Sequence, residues 1–461
     1  MKLVIVNPPS PFLLDDRAFL TLGPLQIAAV AREVAGWDVE VCDLTGHARG
    51  CSRTRHDRCF DDVMADIDRR IPLACEGADL VGFYSTAITH PGTYRAMRAL
   101  AQLGSSAPSS VLGGPHANSA PEACVEDGFT WVVAADQGGG GGEPGFLEVL
   151  RRVKDRSGER GVVRVPSKNG ESFPNDRWPY PARDLVDMES YRYFINGQRA
   201  SHIVSAAGCP FACNFCAHWD GYRKLVHRSI PHIEGEIREI KKRWDVHALM
   251  EYSDECNLYP DFDGWMDMMR RNGITWRGFF KAGSVARIMS EAMIRKMAES
   301  GCYQVACGIE SGSEAVLKKI GKGATKRDNT NFVVWCVKHG VRPKAFMQVG
   351  LPGETPETVK ETRDWLVAMA AAGLKDIDVA ITTPYEGTPI YEHPEDWDLA
   401  FDFAELDRAR HEGFGRGRPG EYVSFVSTPT LSRDDLVKAR LWLDEEFAKA
   451  ASMPGEIRDD G

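Results

Sequence analysis

Short apolar runs alternate with amphipathic stretches along most of this chain, and that pattern predicts strands that alternate with helices. In the first 150 residues the apolar runs predict strands at 3–7, 39–44, 80–84 and 110–112. Helices are predicted between them at 22–35, 61–71 and 90–103. Because this alternation is typical of a parallel, doubly wound sheet, we expect a flavodoxin-like α/β domain over residues 1–150.

The alternation stops after this domain and later resumes. Residues 151–198 contain four prolines in a short space and are expected to form a connector. Six further strand and helix units follow, with strands predicted at 202–206, 248–252, 277–281, 304–308, 345–349 and 378–382. Six units predict a partial (β/α)6 barrel over residues 199–390. Residues 391–461 are expected to form a small C-terminal tail domain, with a glycine- and arginine-rich loop from His411 to Gly420 and a helix at 432–451.

Composition narrows the classes of function. The chain has 461 residues and a net charge of -10, which argues against a general nucleic-acid binder because phosphate backbones require a basic surface. No apolar run reaches the length of a membrane span, and the apolar N-terminus is too short for a signal peptide. Twelve cysteines without a disulfide pattern fit a reducing compartment. We expect a cytoplasmic protein with a small-molecule substrate.

Three cysteines lie within eight residues of one another, at Cys209, Cys213 and Cys216. A disulfide between two of them would leave the third without a partner. A tetrahedral zinc site would need a fourth ligand, such as His218 or His227. A [4Fe-4S] cluster held by three cysteines would leave one iron open for another ligand. The spacing alone leaves these three interpretations open.

The run Cys209-Pro-Phe-Ala-Cys213-Asn-Phe-Cys216 resembles the signature of the radical SAM superfamily, including the aromatic Phe215 before the third cysteine. The resemblance implies that Cys209, Cys213 and Cys216 hold a catalytic [4Fe-4S] cluster. It also implies that the open iron binds the amino and carboxylate groups of S-adenosyl-L-methionine (SAM), with Phe215 beside the cofactor.

Other candidate contacts with SAM follow predicted barrel strands, where the chemistry of parallel barrels is located. Asp254 follows the second strand and could meet the ammonium of SAM, although a helix cap would explain it equally well. Glu310 and Ser311 belong to a Gly-x-Glu-Ser-Gly run that resembles a SAM-binding run of the same family. Gly353 lies in a Gly-Leu-Pro-Gly turn that could pass the adenine, or that only ends a strand and begins a helix.

Small and hydroxyl residues follow the predicted strands of the first domain. Taken singly, a glycine after a strand is usually a turn. The whole series, placed directly before the cysteine signature, resembles the cobalamin-binding domain that precedes many radical SAM domains. The candidate cobalamin contacts that this resemblance implies are Ser85, Thr86, Gly113, Gly114, Pro115, His116, Gly142 and Glu143.

The chain departs from the cobalamin-binding pattern in two places. It has no Asp-x-His-x-x-Gly run, so we expect cobalamin to lack the histidine ligand that this run supplies in other proteins. Five consecutive glycines at 138–142 stand where the family usually alternates Gly and Glu. They form either a flexible linker or a loop packed against the nucleotide tail of cobalamin.

The resemblance implies a cobalamin-dependent radical SAM methyltransferase that acts on an unactivated carbon, or alternatively on phosphorus, of a small metabolite. In that family one SAM yields a 5′-deoxyadenosyl radical that takes a hydrogen atom, and methylcobalamin supplies the methyl group. An external electron donor such as flavodoxin or ferredoxin is implied. Two alternatives stay open: radical chemistry without methyl transfer, such as ring contraction, oxidation, cyclisation or decarboxylation, and a cobalamin or iron-sulfur redox sensor. Arg416 and Arg418 either bind an anionic substrate group or lie in a solvated loop.

Overall fold

The first domain is built on a six-stranded parallel sheet. The computed structural model describes residues 1–9, 16–46, 56–135, 142–165, 174–217, 224–283, 289–412 and 422–452. The strands of this sheet are β1 (Lys2–Asn7), β2 (Asp38–Asp43), β3 (Leu80–Tyr84), β4 (Ser109–Gly113), β5 (Trp131–Val133) and β6 (Gly161–Val163). Their order is β2-β1-β3-β4-β5-β6, which begins with the strand order of a flavodoxin-like fold. The predicted doubly wound sheet is confirmed.

Helices cover both faces of this sheet because its central strands are apolar on both sides. The four residues from Leu3 to Val6 are at most 2% exposed, and they contribute alternately to two separate apolar clusters. The helices are α1 (Leu22–Ala29, continued by a π-helical turn), α2 (His56–Ala74), α3 (His90–Ala101), α4 (Pro115–Ser119), α5 (Pro121–Glu126) and α6 (Gly142–Lys154). The sequence did not predict β5, β6, α4 or α5, and β6 lies beyond the predicted boundary at residue 150.

The connector is bonded to both halves of the protein. Its Ala182 N–H donates to Leu25 O in α1 at 2.9 Å. The adjacent Arg183 is 2% exposed and pairs with Glu236 at 2.6 Å. Arg228 pairs with the same carboxylate. Although burial opposes ionisation, these two guanidinium groups hold the pKa of Glu236 below its usual value. The part of the connector around Ala182 and Arg183 therefore belongs to the interface between the two halves.

The second sheet is a half-barrel of six parallel strands. They are β8 (Gln198–Ile203), β11 (Ala248–Glu251), β12 (Thr275–Phe280), β13 (Cys302–Glu310), β14 (Arg342–Val349) and β15 (Asp376–Ile381). An additional strand, β7 (Tyr193–Ile195), pairs with β8 in the antiparallel direction. The short strands β9 (Ala206–Ala207) and β10 (Val226–His227) pair on either side of the cysteine loop. The predicted partial barrel is confirmed.

Helices cover the outer face of the half-barrel and continue into the tail. The barrel helices are α7 (Ile230–Trp244), α8 (Phe262–Arg271), α9 (Glu291–Glu299), α10 (Glu314–Lys319), α11 (Lys326–Lys338) and α12 (Pro356–Ala371). The tail helices are α13 (Pro389–Glu392), α14 (Phe403–Glu412) and α15 (Arg433–Ser452). Helix α15 packs on α12 and β15, whereas α14 reaches back to α3 in the first domain. Within the described ranges, no helix is both long enough and apolar enough to cross a membrane.

Candidate cofactor and substrate site

The cysteine loop lies at the carboxyl end of β8, and backbone contacts fix its course. The N–H of Gly208, which has a φ of +103°, donates to Asp254 Oδ2 at 2.7 Å. Asn214 bonds to Lys319 and Ile320 at the end of α10, with distances of 3.2 Å. The N–H of Cys216 donates to Cys213 O at 3.1 Å, which closes a turn between the last two cysteines. The loop is therefore held from two sides.

None of the three cysteines forms a disulfide with another described cysteine; Cys213 is buried, and Cys209 and Cys216 are half-buried. Burial raises the pKa of Cys209 to about 11. A thiolate there needs a nearby cation, and iron supplies one. Three cysteines on one fixed loop at the mouth of a half-barrel fit a [4Fe-4S] cluster. His218, one of the possible zinc ligands, lies outside the described residues.

Glu310 forms the centre of a buried polar group beside this loop. It has a φ of +64°, a conformation that is uncommon for a residue with a side chain and that occurs often at binding sites. One carboxylate oxygen accepts from Lys322 Nζ at 2.7 Å, and the other accepts from Gln348 Nε2 at 2.8 Å. The positive charge of Lys322 lies 6.0 Å from the ring centre of Phe215, within the cysteine loop. This arrangement connects β13 and β14 to the loop.

The other residues predicted to contact SAM lie in different surroundings. Ser311 is buried, and its Oγ lies 3.1 Å from Thr362 Oγ1 in α12. Phe215 packs against the apolar cluster of α10 and Leu351. Gly353 is exposed, with a φ of +81°. Asp254, as described above, holds Gly208. Their roles toward SAM stay predictions.

A large cavity, which we call the first cavity, opens at the carboxyl ends of β1, β3, β4 and β5. It has a volume of about 1150 Å³ including its mouth, and its walls are mainly apolar. Among the predicted cobalamin contacts, the residues that line it are Gly113, Gly114, Pro115, Gly142 and Glu143. Lys224 and Val226 of the second half close one side. No described residue in its lining is a histidine.

Two glycines in the wall of the first cavity leave open space for a ligand. A Cβ atom on Gly113 or Gly142 would meet no atom within 4 Å, so a side chain at either position would extend into open space. Gly114 differs, because its φ is +107° and a Cβ atom would lie 2.6 Å from Ser85 O. Two open glycines in an apolar wall fit the close approach of a large flat ligand such as cobalamin. The other four glycines of the run at 138–142 lie outside the described residues.

Thr86 and His116 line a second cavity, which has a volume of about 820 Å³ and shares Pro115 with the first. Ser85 lines neither of these cavities. It is fully buried, with Oγ 3.0 Å from Nδ1 of His90. The structure thus divides the predicted cobalamin contacts between two adjoining cavities and the interior of the domain.

Sequence reasoning missed the tail residues that reach this region. The sequence predicts His411 in a loop, but it lies in α14, where its Nε2 is 3.0 Å from Asp127 Oδ1 of the first domain. Arg410 of the same helix lines the second cavity together with Glu386. Only the apolar spacing of Phe403, Leu406 and Ala409 could have indicated this helix. Arg416 and Arg418 lie outside the described residues.

Residues 203–366 match the radical SAM superfamily. The chain carries a radical SAM domain. This match covers the cysteine loop and β11 to β14, so it falls within the half-barrel.

Solved structures extend the likeness to the first domain. TsrM from Kitasatospora setae, a radical S-adenosylmethionine methyltransferase solved with cobalamin and a [4Fe-4S] cluster, superposes with a TM-score of 0.68. The likeness covers 96% of this chain and 90% of that chain at 19% identity. The cobalamin-dependent radical enzyme OxsB superposes with a TM-score of 0.58, covering 97% of this chain and 61% of that one at 16% identity. The chain therefore has the fold of these proteins over both of its halves.

Two curated relatives cover most of the chain. A methyltransferase of Pyrococcus horikoshii is 28% identical in an alignment 418 positions long that covers 85% of this chain and 83% of the relative. The cytidylyl-2-hydroxyethylphosphonate methyltransferase of Streptomyces wedmorensis is 24% identical over 440 residues, covering 84% of this chain and 80% of that protein. Both relatives carry the name of a methyltransferase.

Proposed function

We propose that this protein is a cobalamin-dependent radical SAM methyltransferase that methylates an unactivated carbon of a small molecule. The observation that carries the proposal is the arrangement of two sites in one structure. The first cavity lies in a flavodoxin-like domain, and a three-cysteine loop lies at the mouth of the radical SAM domain that faces it. The methyltransferase relatives that cover most of the chain support the choice of reaction.

Each cofactor has a set of residues that suits it. Cys209, Cys213 and Cys216 would hold the [4Fe-4S] cluster, and the first cavity would hold cobalamin. When bound, the cluster would supply the electron for reductive cleavage of SAM, and cobalamin would supply the methyl group for the substrate. An external electron donor of the flavodoxin or ferredoxin type is part of this proposal.

The residues of the chain position these groups and exclude water from them. Asp254 fixes the start of the cysteine loop through Gly208. Glu310 holds Lys322 and Gln348 beside the loop, where their donors suit the carboxylate or ribose of SAM. The apolar wall of the first cavity excludes water from a flat ligand. Because that wall contains no described histidine, cobalamin would lack an imidazole ligand from it.

Cofactor loading tests the proposal without a known substrate. The protein is purified under anaerobic conditions with iron, sulfide and cobalamin supplied, and its iron content and visible spectrum are measured. We expect about four irons and one cobalamin per chain. Cys213→Ala should lose the cluster, whereas Cys336→Ala, at a buried cysteine of α11, should keep it.

A second pair of variants tests the first cavity. Gly113→Leu places a side chain in the open space of the cavity and should abolish cobalamin binding while the cluster is retained. Gly158→Leu is the matched control, since a Cβ atom there also meets nothing within 4 Å but the residue lies outside this cavity. Full cobalamin binding by Gly113→Leu would contradict the assignment of the cavity.

A further inference from the structure

The second cavity lies between the two proposed cofactor sites. It shares Pro115 with the first cavity, and another of its lining residues, Ala217, directly follows Cys216 of the cysteine loop. Tyr385, after the last barrel strand, closes a third side, and Leu406 of α14 closes a fourth. A molecule in this cavity would lie next to both cofactors, as the acceptor of a methyl group must.

Most of the wall of this cavity is apolar or aromatic. Ala87, Ile88, Pro115 and Leu406 contribute aliphatic surface, and two tyrosine rings face the same space. An apolar wall of this kind favours a ligand with an apolar body, and a few polar groups then decide its orientation.

The polar end of the cavity is formed by Glu386 and Arg410, whose hydrogen-bonding capacity is incompletely used. Their closest atoms, Arg410 Nη1 and Glu386 Oε1, are 3.6 Å apart, which is too long for a hydrogen bond. Among the described residues, Glu386 Oε2 and Arg410 Nε have no hydrogen-bond partner although both atoms are buried. Buried polar atoms without a partner are costly, so these atoms point to a ligand that satisfies them.

Carboxyl groups outnumber guanidinium groups at this end, and burial raises the pKa of one of them, Glu386, above its usual value. Three carboxylates surround the single guanidinium of Arg410: Asp407 at 3.2 Å, Asp127 at 3.6 Å and Glu386. His116 and His90 add no charge near neutral pH, because burial lowers the pKa of each ring. An anionic ligand would meet net repulsion here, whereas an amine or another hydrogen-bond donor would be attracted.

Helix α14 holds Arg410 in this position through contacts with the first domain. Asp127 lies 3.0 Å from His411 Nε2 and 3.2 Å from His90 Nε2, and the opposite nitrogen of His90 contacts Ser85. The tail helix is thus bonded to the domain that would carry cobalamin, and it forms one wall of the second cavity.

We infer that the second cavity is the substrate site, and that it takes a compact, mostly apolar small molecule whose amine or N–H donor faces Glu386, in preference to an anion. This inference rests on the proposed function, since it places the substrate beside the two cofactors. Arg410 would orient Glu386, and its Nε–H would donate a hydrogen bond to a neighbouring oxygen of the ligand.

A matched pair of small ligands tests the charge preference. Binding of 2-phenylethylamine and of 3-phenylpropionate, which share a ring and a similar chain, is measured on the cofactor-loaded protein by ligand-observed NMR. We expect the amine to bind at least about tenfold more tightly than the acid. Glu386→Gln should remove this preference, while Glu395→Gln, an exposed residue of the same segment, should keep it. Ala87→Leu, which fills the cavity without changing charge, should weaken both ligands.

Three results would overturn the inference: equal or tighter binding of the acid, absence of amine binding at millimolar concentration, or an unchanged preference in Glu386→Gln. Iron and cobalamin are counted in the same preparations. If the wild type carries both cofactors and the amine preference is absent, the substrate inference alone fails. If the cofactors do not load, the proposed function fails instead.

Discussion

Gly114 is the residue at which backbone geometry constrains the sequence most tightly. Its φ of +107° disfavours any other residue, and a Cβ atom would lie 2.6 Å from Ser85 O. We predict that Gly114→Ala lowers the free energy of unfolding by at least about 2 kcal/mol. The neighbouring Gly113→Ala should change it by less than about 0.5 kcal/mol, because that Cβ atom meets nothing within 4 Å. Urea denaturation followed by fluorescence compares the two variants, and equal losses would contradict this explanation.

His202 is a buried histidine whose two ring nitrogens have no hydrogen-bond partner among the described residues. It stacks on Tyr252 with ring centres 4.6 Å apart. Burial, together with the nearby Arg183 and Arg277, lowers the pKa of His202 to about 3. The folded protein therefore holds this ring neutral, whereas the unfolded chain protonates it below a pH of about 6.5. Its contribution to stability is present above pH 6.5 and is lost as the pH falls toward 3.

We predict that His202→Phe removes part of the acid sensitivity of the protein. Between pH 8 and pH 5 the wild type should lose about 2 kcal/mol more of its free energy of unfolding than the variant, from 1.5 pH units at about 1.4 kcal/mol each. Urea denaturation at the two pH values measures the difference. His247→Gln, at a largely exposed histidine, should behave like the wild type. Parallel pH profiles for His202→Phe and wild type would show that the ring is not held neutral.

Single residues also show what the sequence could and could not reveal about the site. Cys209, Cys213 and Cys216 are close in the chain, so their spacing alone indicated a common centre. The contact of Glu386 with Arg410, and that of Asp127 with His411, join distant parts of the chain. No local pattern predicts such pairs, because they depend on how α14 packs against the first domain. The position of Ser85 after β3 predicts a contact with cobalamin. The direction of its side chain depends instead on its contact with His90.

At the scale of elements, α14 connects the tail to the first domain through Asp127. Although burial alone would raise it, the hydrogen bonds from His411 and His90 and the nearby Arg410 hold the pKa of Asp127 well below its usual range. We predict that Asp127→Asn weakens this connection by about 3 kcal/mol, since Arg410 then loses a buried counter-charge. Limited proteolysis should cleave the tail faster in this variant than in the wild type.

The control and the pH dependence for Asp127→Asn follow from its surroundings. Glu126→Gln removes the charge of the exposed neighbour and should leave the cleavage rate unchanged. A depressed carboxyl pKa keeps its stabilising effect above the ordinary value near 4 and loses it only at lower pH. The difference between Asp127→Asn and wild type should therefore persist at pH 5. Equal cleavage of the two proteins would contradict the role of Asp127.

Strong hydrophobic periodicity made most elements of both sheets predictable, including all six parallel strands of the half-barrel. The strands that the sequence did not predict have three residues each (β5, β6 and β7) or two (β9 and β10), and they offer too few positions for a pattern. Helices α4 and α5 are also short, with five and six residues. Their helical state depends on the contacts around the first cavity more than on local sequence.

At the scale of the whole molecule, the two halves are joined by buried polar contacts on two sides. The connector bonds to α1 through Ala182 and to α7 through Arg183, and the tail bonds to the first domain through His411 and Asp127. Between these joints lie the first cavity, the second cavity and the cysteine loop. These two sets of contacts would hold the proposed cofactor sites at a fixed distance from each other. A fixed distance is required if methyl transfer and hydrogen abstraction are to act on one substrate.

The products formed from SAM test the central claim most directly. The cofactor-loaded protein is incubated under anaerobic conditions with SAM and a reductant, and 5′-deoxyadenosine and S-adenosylhomocysteine are measured by mass spectrometry. A cobalamin-dependent radical SAM methyltransferase should form both, because the first reports reductive cleavage of SAM and the second reports methyl transfer from SAM. Cys213→Ala should form no 5′-deoxyadenosine, and protein prepared without cobalamin should form no S-adenosylhomocysteine. Formation of 5′-deoxyadenosine alone by the loaded wild type would contradict methyl transfer, and formation of neither product would contradict the proposed function as a whole.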